Sequence, residues 1–284
     1  MPEECGPALD LQRGSTSPLP PGFDWSYYNK TAHLRVLPNF VIIGTARGGT
    51  TSLFNWLASH PDVTPPLKKE MHFFDRHYAK GLRWYRSHFP LAGFEGITGE
   101  ATPYLLFHPL APERVARDLP SNTRFIVLLR NPVERALSHY WWARPRGRET
   151  ESFERAVHLE PERLAGSTEL ILRDGWSENH RVYSYLARGK YAGQLRSWFS
   201  AVGRERILIL ESESLYTNPT ERGRVLDWLG LRSHDQEYPV ANRADRSEEP
   251  SPQLLTYLHS YFATDNQDLF KLLGYELWAD GGGS

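Results

Sequence analysis

The stretch Asn39–Trp56, NFVIIGTARGGTTSLFNW, constrains this chain more than any other. Phe40, Val41, Ile42 and Ile43 form a short apolar run rich in β-branched residues, the pattern of a strand buried on both faces. Gly44, Thr45, Ala46, Arg47, Gly48, Gly49, Thr50 and Thr51 follow, and then Ser52, Leu53, Phe54, Trp56 and Leu57 continue at helical spacing. A strand, a glycine-rich turn and a helix start make an anion cradle. Backbone N–H groups point outward there, and the helix dipole favours negative charge. Glycine lets the backbone approach a phosphate closely and take positive φ. The alternative is a turn that merely joins strand to helix, which leaves unused the coincidence of glycines, hydroxyls and a cation.

The spacing from Gly44 to Gly49 fits the GxxxxG of nucleotide triphosphatases, but that motif needs Lys next and this chain has Thr50. The long cation of the loop is Arg47 instead. A later apolar run, Phe125 to Leu129, ends in Arg130 rather than in a magnesium-holding Asp. The loop is therefore expected to hold a phosphate group without the lysine and metal of ATP hydrolysis. No metal-ligand cluster is legible, and no metal is expected.

Two further stretches bear on identity. In RFIVLLRNPVERALSHYWW, Arg124–Trp142, a second strand ends in Arg130, Pro132 stands where a helix can start, and Ser138 follows about two helical turns on. A cation at a strand's carboxyl end can grip a dianionic phosphate with charge-assisted bonds, and Ser138 can add a hydroxyl. Singly, Arg130 could sit in an ion pair and Ser138 on a helix surface; jointly, the phosphate reading is stronger. Between the two strands lies KKEMHFFD, Lys68–Asp75. If that segment is extended, Glu70 and His72 share a face. On the residues alone, Glu70 could pair with Lys68 or Lys69 and His72 could fill a polar niche.

Together these motifs resemble the sulfotransferases that use PAPS, 3′-phosphoadenosine 5′-phosphosulfate. The resemblance runs from about Pro38 to Trp278. The Glu-x-His-Phe-Phe-Asp pattern and GLRWYRSHFP are most similar to heparan-sulfate-type glycan enzymes and their bacterial relatives. It implies that Thr45, Ala46, Arg47, Gly48, Gly49, Thr50 and Thr51 form the 5′-phosphosulfate loop, and that Arg130 and Ser138 hold the 3′-phosphate. It makes Glu70 the general base, with His72 and Asp75 in support and Arg47 at the leaving phosphate. Many members carry Lys at the Arg47 position; Arg substitutes a planar fork for a compact ammonium. Relatives close the 3′-phosphate with a later Lys-Gly or Arg, for which Arg243 is the candidate. Tyr191 in Gly-Lys-Tyr and Thr102 are carried over as acceptor contacts, although the Lys that glycan members often place near Thr102 is absent.

Trp141-Trp142-Ala143-Arg144-Pro145-Arg146-Gly147-Arg148 is the densest basic and aromatic patch. Trp142, Arg144 and Arg146 are candidates to line an acceptor cleft, with rings stacking on sugars; the equal alternative is a solvated loop with two core tryptophans. The reaction implied is sulfuryl transfer from PAPS to a hydroxyl, a carbohydrate first, then a small alcohol, phenol or protein tyrosine. A P-loop kinase and a non-catalytic nucleotide-binding module are the rivals.

The chain has 284 residues, ordinary hydrophobic content and a formal net charge of −1, so no overall positive field points to nucleic acid. The expected fold is a three-layer α/β domain over 38–279 with a central parallel sheet and the P-loop-like loop; strands fall near Phe40, Ile97, Ile126 and Leu208. Residues 1–37 read as an extended, proline-bearing lead-in pinned by Phe23, Trp25, Tyr27 and Tyr28, and 280–284 as a linker scar. Helices are expected at Tyr78–Pro90, His108–Leu119, Ser152–Leu159, Ser177–Arg188 and Leu215–Leu229, and two within Pro252–Leu273. Cys5 is the single cysteine, no apolar run spans a membrane and no signal peptide is evident. The expected place is the cytoplasm if the chain is bacterial, or the Golgi lumen if it is an excised catalytic domain.

Overall fold

The computed structural model of the chain describes residues 25–233, 235–239 and 249–278. Four parallel strands, β1 (Phe40–Gly44), β2 (Gly99–Ala101), β3 (Arg124–Leu129) and β4 (Ile207–Glu211), form one sheet in the order β2-β1-β3-β4. Phe40 pairs with Gly99 and Arg124, and Phe125 with Ile207. The expected strand near Ile97 begins at Gly99; Ile97 itself makes an isolated bridge to Val63.

The helices are α1 (Trp25–Lys30), α2 (Thr50–Ala58), α3 (Gly81–Arg86), α4 (Ala111–Asp118), α5 (Pro132–Ala143), α6 (Phe153–Leu164), α7 (Ser167–Asp174), α8 (Glu178–Val182), α9 (Tyr191–Val202), α10 (Ser214–Thr217), α11 (Pro219–Leu229) and α12 (Pro252–Leu273). Strand side chains alternate between two cores, as period-2 geometry requires. Val41, Ile43, Val127 and Ile209 pack with Tyr85, Val115, Leu195 and Trp198 on one face. Ile42, Ile126, Leu128 and Leu210 pack with Leu53, Trp56, Val225 and Leu229 on the other. The result is the three-layer arrangement with a parallel sheet, and each such buried side chain contributes about 1.5–3 kcal/mol. A third cluster joins α5, α6 and α12 through Val133, Leu137, Phe153, Leu258 and Phe262.

Several expected boundaries shift for identifiable reasons. The lead-in is helical over Trp25–Lys30, where Trp25 meets His88 edge-on and Arg35 lies 4.2 Å from the Tyr28 ring centroid; Phe23 lies outside the described residues. The Tyr78–Pro90 helix is shortened to α3 after a 3-10 turn, because Gly81 takes φ 77° and redirects the chain. The expected helix from Ser177 stops at Val182. The buried Glu160 carboxylate accepts from the amides of Leu186 (2.6 Å) and Ala187 (2.7 Å), so those amides leave the helical ladder. Helix α6 runs on past Pro161, and α7 was not expected. Pro252–Leu273 is one helix, not two, capped by Ser251 and ended by Gly274 in the left-handed region. It has Leu254, Leu258 and Phe262 in the third cluster and Leu269 in the first.

Strand order reverses at β1. The chain passes from β1 to β2 on one side and returns to β3 and β4 on the other, so the carboxyl ends of β1 and β3 frame the crevice where open α/β sheets bind ligands.

Candidate active site

The loop after β1 is tied down by its own amides. Thr45 donates to the Leu128 carbonyl (3.0 Å), and Gly48 donates back to Thr45 (2.9 Å). A side chain at Gly48 would lie 2.9 Å from the Leu128 carbonyl oxygen, and Gly49 takes φ 83°, so both positions need glycine. Gly49 opens α2 without a side-chain cap, whereas Asn131 caps α5 by accepting from Val133 and Glu134. The start of α2 thus presents its first amides to the crevice, and the start of α5 is closed by its own residue. Thr45 and Thr50 are buried, while Ala46, Arg47, Gly49 and Thr51 are partly exposed.

Arg47 brings the two phosphate motifs together. Its Nε donates to Ser138 Oγ (3.1 Å), and its carbonyl accepts from Arg130 Nη1 (3.1 Å). Arg47 has φ 73°, unusual for a side-chain-bearing residue. Burial, followed by the charges of Arg130, Arg146 and Arg135, lowers its pKa to about 10. Cations gathered at this density are best neutralised by an anion. Arg130 is meanwhile held by two carboxylates, with Nε 3.2 Å from Glu213 and Nη2 3.7 Å from Glu134. Arg243 lies outside the described residues.

The KKEMHFFD segment sits at the carboxyl end of β2, where the Glu70 amide donates to Ala101 (3.1 Å). It is not extended. Glu70 and His72 have φ 57° and 52°, so strand alternation does not bring them together. A tight irregular turn does so instead, anchored by buried Phe73 and Phe74. His72 Nδ1 lies 2.6 Å from Asp75 Oδ2, and its Nε2 lies 3.7 Å from Glu70 Oε2. Lys69, buried, lies 2.6 Å from Glu70 Oε1, so the ion pair and the His72 contact coexist. Burial alone would raise the Glu70 carboxyl; hydrogen bonding to His72 and the Lys69 charge outweigh it and hold the pKa at about 2. Burial would lower His72, yet Asp75 and Glu70 raise it to about 9. At neutral pH the imidazolium can donate from both nitrogens.

The proposed acceptor contacts divide. Trp142 is partly exposed, with Arg146 and Arg148 guanidiniums 4.7 and 5.0 Å from its ring centroid; Arg144 and Arg146 are exposed. Trp141 is also partly exposed but packs against the third cluster, edge-on to Tyr140 at 5.0 Å, so only Trp142 is left to a cleft. Tyr191 is different: it is fully buried and donates to the Arg130 carbonyl (2.9 Å), so it braces the donor side instead of lining a cleft. Thr102 is also buried, its hydroxyl donating to Glu100 (2.8 Å), and cannot face an acceptor. Sequence reasoning missed Glu213; its position just beyond the carboxyl end of β4 was the available signal.

A parallel sheet with an open helix start at its switch point and an arginine–serine partner on the next strand–helix unit defines a phosphate-handling α/β domain. The chain belongs to the sulfotransferase family, whose domain matches residues 37–247. It is 36% identical to human heparan sulfate glucosamine 3-O-sulfotransferase 6 over 70% of this chain and 54% of that protein. It is 29% identical to human heparan sulfate glucosamine 3-O-sulfotransferase 3A1 over 86% of this chain and 63% of that protein. The chain therefore spans between about half and two thirds of the length of these curated relatives. The crystal structure of a sulfotransferase from Alicyclobacillus acidocaldarius superposes with a TM-score of 0.65 at 30% identity, covering 86% of this chain and 98% of that one. Among the described residues, no helix is long and apolar enough to cross a membrane.

Proposed function

We propose that this chain transfers a sulfuryl group from PAPS to a hydroxyl of a carbohydrate. The observation that carries the reading is backbone geometry. Four described non-glycine residues have positive φ, and three of them are Arg47, Glu70 and His72. Such backbone costs on the order of 1–3 kcal/mol per residue, persists where the surrounding structure enforces it, and clusters at functional sites. Arg47 lies in the loop between β1 and the uncapped start of α2, and Glu70 and His72 lie at the carboxyl end of the neighbouring strand β2.

In the proposed step the acceptor oxygen attacks sulfur in line as the bond from sulfur to the bridging phosphate oxygen breaks. The hydroxyl proton passes to Glu70, and the electron pair of the broken bond stays on the 5′-phosphate of PAP. Arg47 and the amides of α2 meet that charge. A carboxyl held at about 2 is a weak base, so the proton moves late, once bonding to sulfur has acidified the hydroxyl. His72, fixed by Asp75, orients Glu70 and offers its charge to the sulfuryl oxygens. Arg130 and Ser138 take the 3′-phosphate, the group that separates PAPS from ATP. A carbohydrate acceptor is supported by the glucosamine sulfotransferases among the relatives and by Trp142 with Arg144 and Arg146.

Incubation with sulfur-labelled PAPS and a panel of heparan sulfate, neutral glycan, phenol and tyrosine peptide tests this. Label on the glycan alone is expected. Phosphate release from ATP and magnesium, or equal calorimetric affinity for PAP and ATP, would overturn it.

A further inference from the structure

Helix α5 carries a second arginine that the phosphate motifs do not use. Arg135, Ser138 and His139 are three and four residues apart, so they share one helix face, and all three are buried. Arg135 is fully enclosed. Its Nη2 donates to the Tyr185 carbonyl, whereas its Nε and Nη1 have no partner among the described residues. Tyr185, whose ring centroid is 4.9 Å from that of His139, begins a strap that crosses α5 through the 3-10 turn Ala187–Gly189. The strap ends at Tyr191, which braces the Arg130 carbonyl. Arg188, in that turn, is 4% exposed. Its Nη2 donates to the carbonyls of Arg181 (2.8 Å) and His180 (3.4 Å), its guanidinium lies 5.0 Å from the Tyr104 ring centroid, and its Nε is unpartnered among the described residues.

Both guanidiniums are bonded to carbonyls, and among the described residues neither forms an ion pair with a carboxylate. Glu160 is the acid whose charge reaches both, but its two oxygens accept the amides of Leu186 and Ala187, and burial raises its pKa. Burial, with the charge of Arg135, lowers Arg188 to about 9, so it is still a cation at neutral pH. The repulsion runs outward to the phosphate motifs: Arg135 and Arg130 oppose each other, and Arg135 also bears on Arg47. His139, next to Ser138, is held neutral by burial and by the charges of Arg188, Arg135 and Arg47. Buried charge is costly when unpaired and is little screened by salt. An anion at Arg47, Arg130 and Ser138 would relieve that cost.

We infer that Arg135 and Arg188 are specificity-determining residues for the donor, which they never touch: their uncompensated charge behind α5 favours an adenosine bearing two phosphates over one bearing a single phosphate. The inference rests on the PAPS reading and adds a layer beneath the two phosphate motifs. Arg47, Arg130 and Ser138 supply contacts, and the buried pair supplies field.

The test measures calorimetric affinity of the whole chain for PAP and for adenosine 5′-phosphate, in the wild type and in Arg188→Met and Arg188→Lys. Met fills the volume without the charge; Lys keeps the charge. Arg188→Met is expected to weaken PAP by about tenfold and adenosine 5′-phosphate by about threefold, and Arg188→Lys to keep the wild-type preference. The effect should appear in KM for PAPS more than in kcat. Without ligand, the Met variant should melt no lower than the Lys variant, because it has lost an unpaired buried charge. Arg135→Met and Arg135→Lys should repeat the pattern; where they do not fold, the Arg188 pair decides. Met and Lys variants with the same affinities, or an equal loss for both nucleotides, would overturn the inference. A wild-type chain with no preference for PAP over adenosine 5′-phosphate would overturn the PAPS reading instead, and the melting order would still report whether the buried charge is uncompensated.

Discussion

The loop after β1 and the acid segment lie at the carboxyl ends of neighbouring strands but are built in opposite ways. Arg47, Arg130 and Ser138 come from separate parts of the chain and are aligned by the ends of β1, β3 and α5. Glu70, His72 and Asp75 come from six consecutive residues, and their contacts depend on a local turn with two left-handed residues. The first site is therefore placed by the fold, and its backbone frame should withstand the loss of one side chain. The second carries two strained residues that are held by Phe73 and Phe74 and by the pairs of Glu70 with Lys69 and of His72 with Asp75, so one side chain should matter more there.

The largest test of that contrast is Glu70→Gln. Loss of a positioned base should reduce kcat by about 10²- to 10⁴-fold while calorimetric PAP affinity is unchanged. Loss of PAP binding as well would show that the two regions are one site, not two. Next, Arg130→Ala removes charge-assisted bonds of about 1.5–3 kcal/mol, which should weaken PAP by roughly tenfold to a hundredfold and reduce the preference for PAP over ATP. The pH profile comes third. His72 has its folded pKa raised to about 9, so its protonated form, and the stability it contributes, are fully present below the ordinary imidazole pKa and are lost as pH rises through about 9. Glu70 is depressed to about 2 and stays ionised across that range. Activity should hold at neutral pH and fall on the alkaline side, with the limb absent in His72→Ala. The smallest effect concerns Glu213, whose carboxylate lies on Arg130. Glu213→Gln should tighten PAP by a few-fold, as expected for removing one competing surface ion pair; weaker binding would mean that the carboxylate positions Arg130.

These differences also explain what could be read in advance. Runs such as Phe40–Ile43 and Phe125–Leu129 announce strands because burial on both faces leaves no polar positions, and a glycine-rich turn after the first announces the loop. The meeting of Arg47 with Ser138 follows from that frame. The φ values of Glu70 and His72 do not, since residue type says little about a turn enforced by distant packing. Tyr191 and Thr102 were carried over from the resemblance to the family, and their burial was decided by packing that the resemblance does not specify. The break after α8 depended on Glu160, a helix away, taking two amides. The continuity of α12 came from four spaced apolar contacts, on both sides of the polar Thr264, Asp265 and Asn266 within it.

That last helix has a mechanical implication. Because α12 is gripped by two separate clusters, a protease cut between α11 and α12 should leave a nicked protein that elutes as a single particle. The severed helix would work as a removable clasp: adding it back as a peptide should restore a truncated chain, and a charge in place of Phe262 should prevent the clasp from closing.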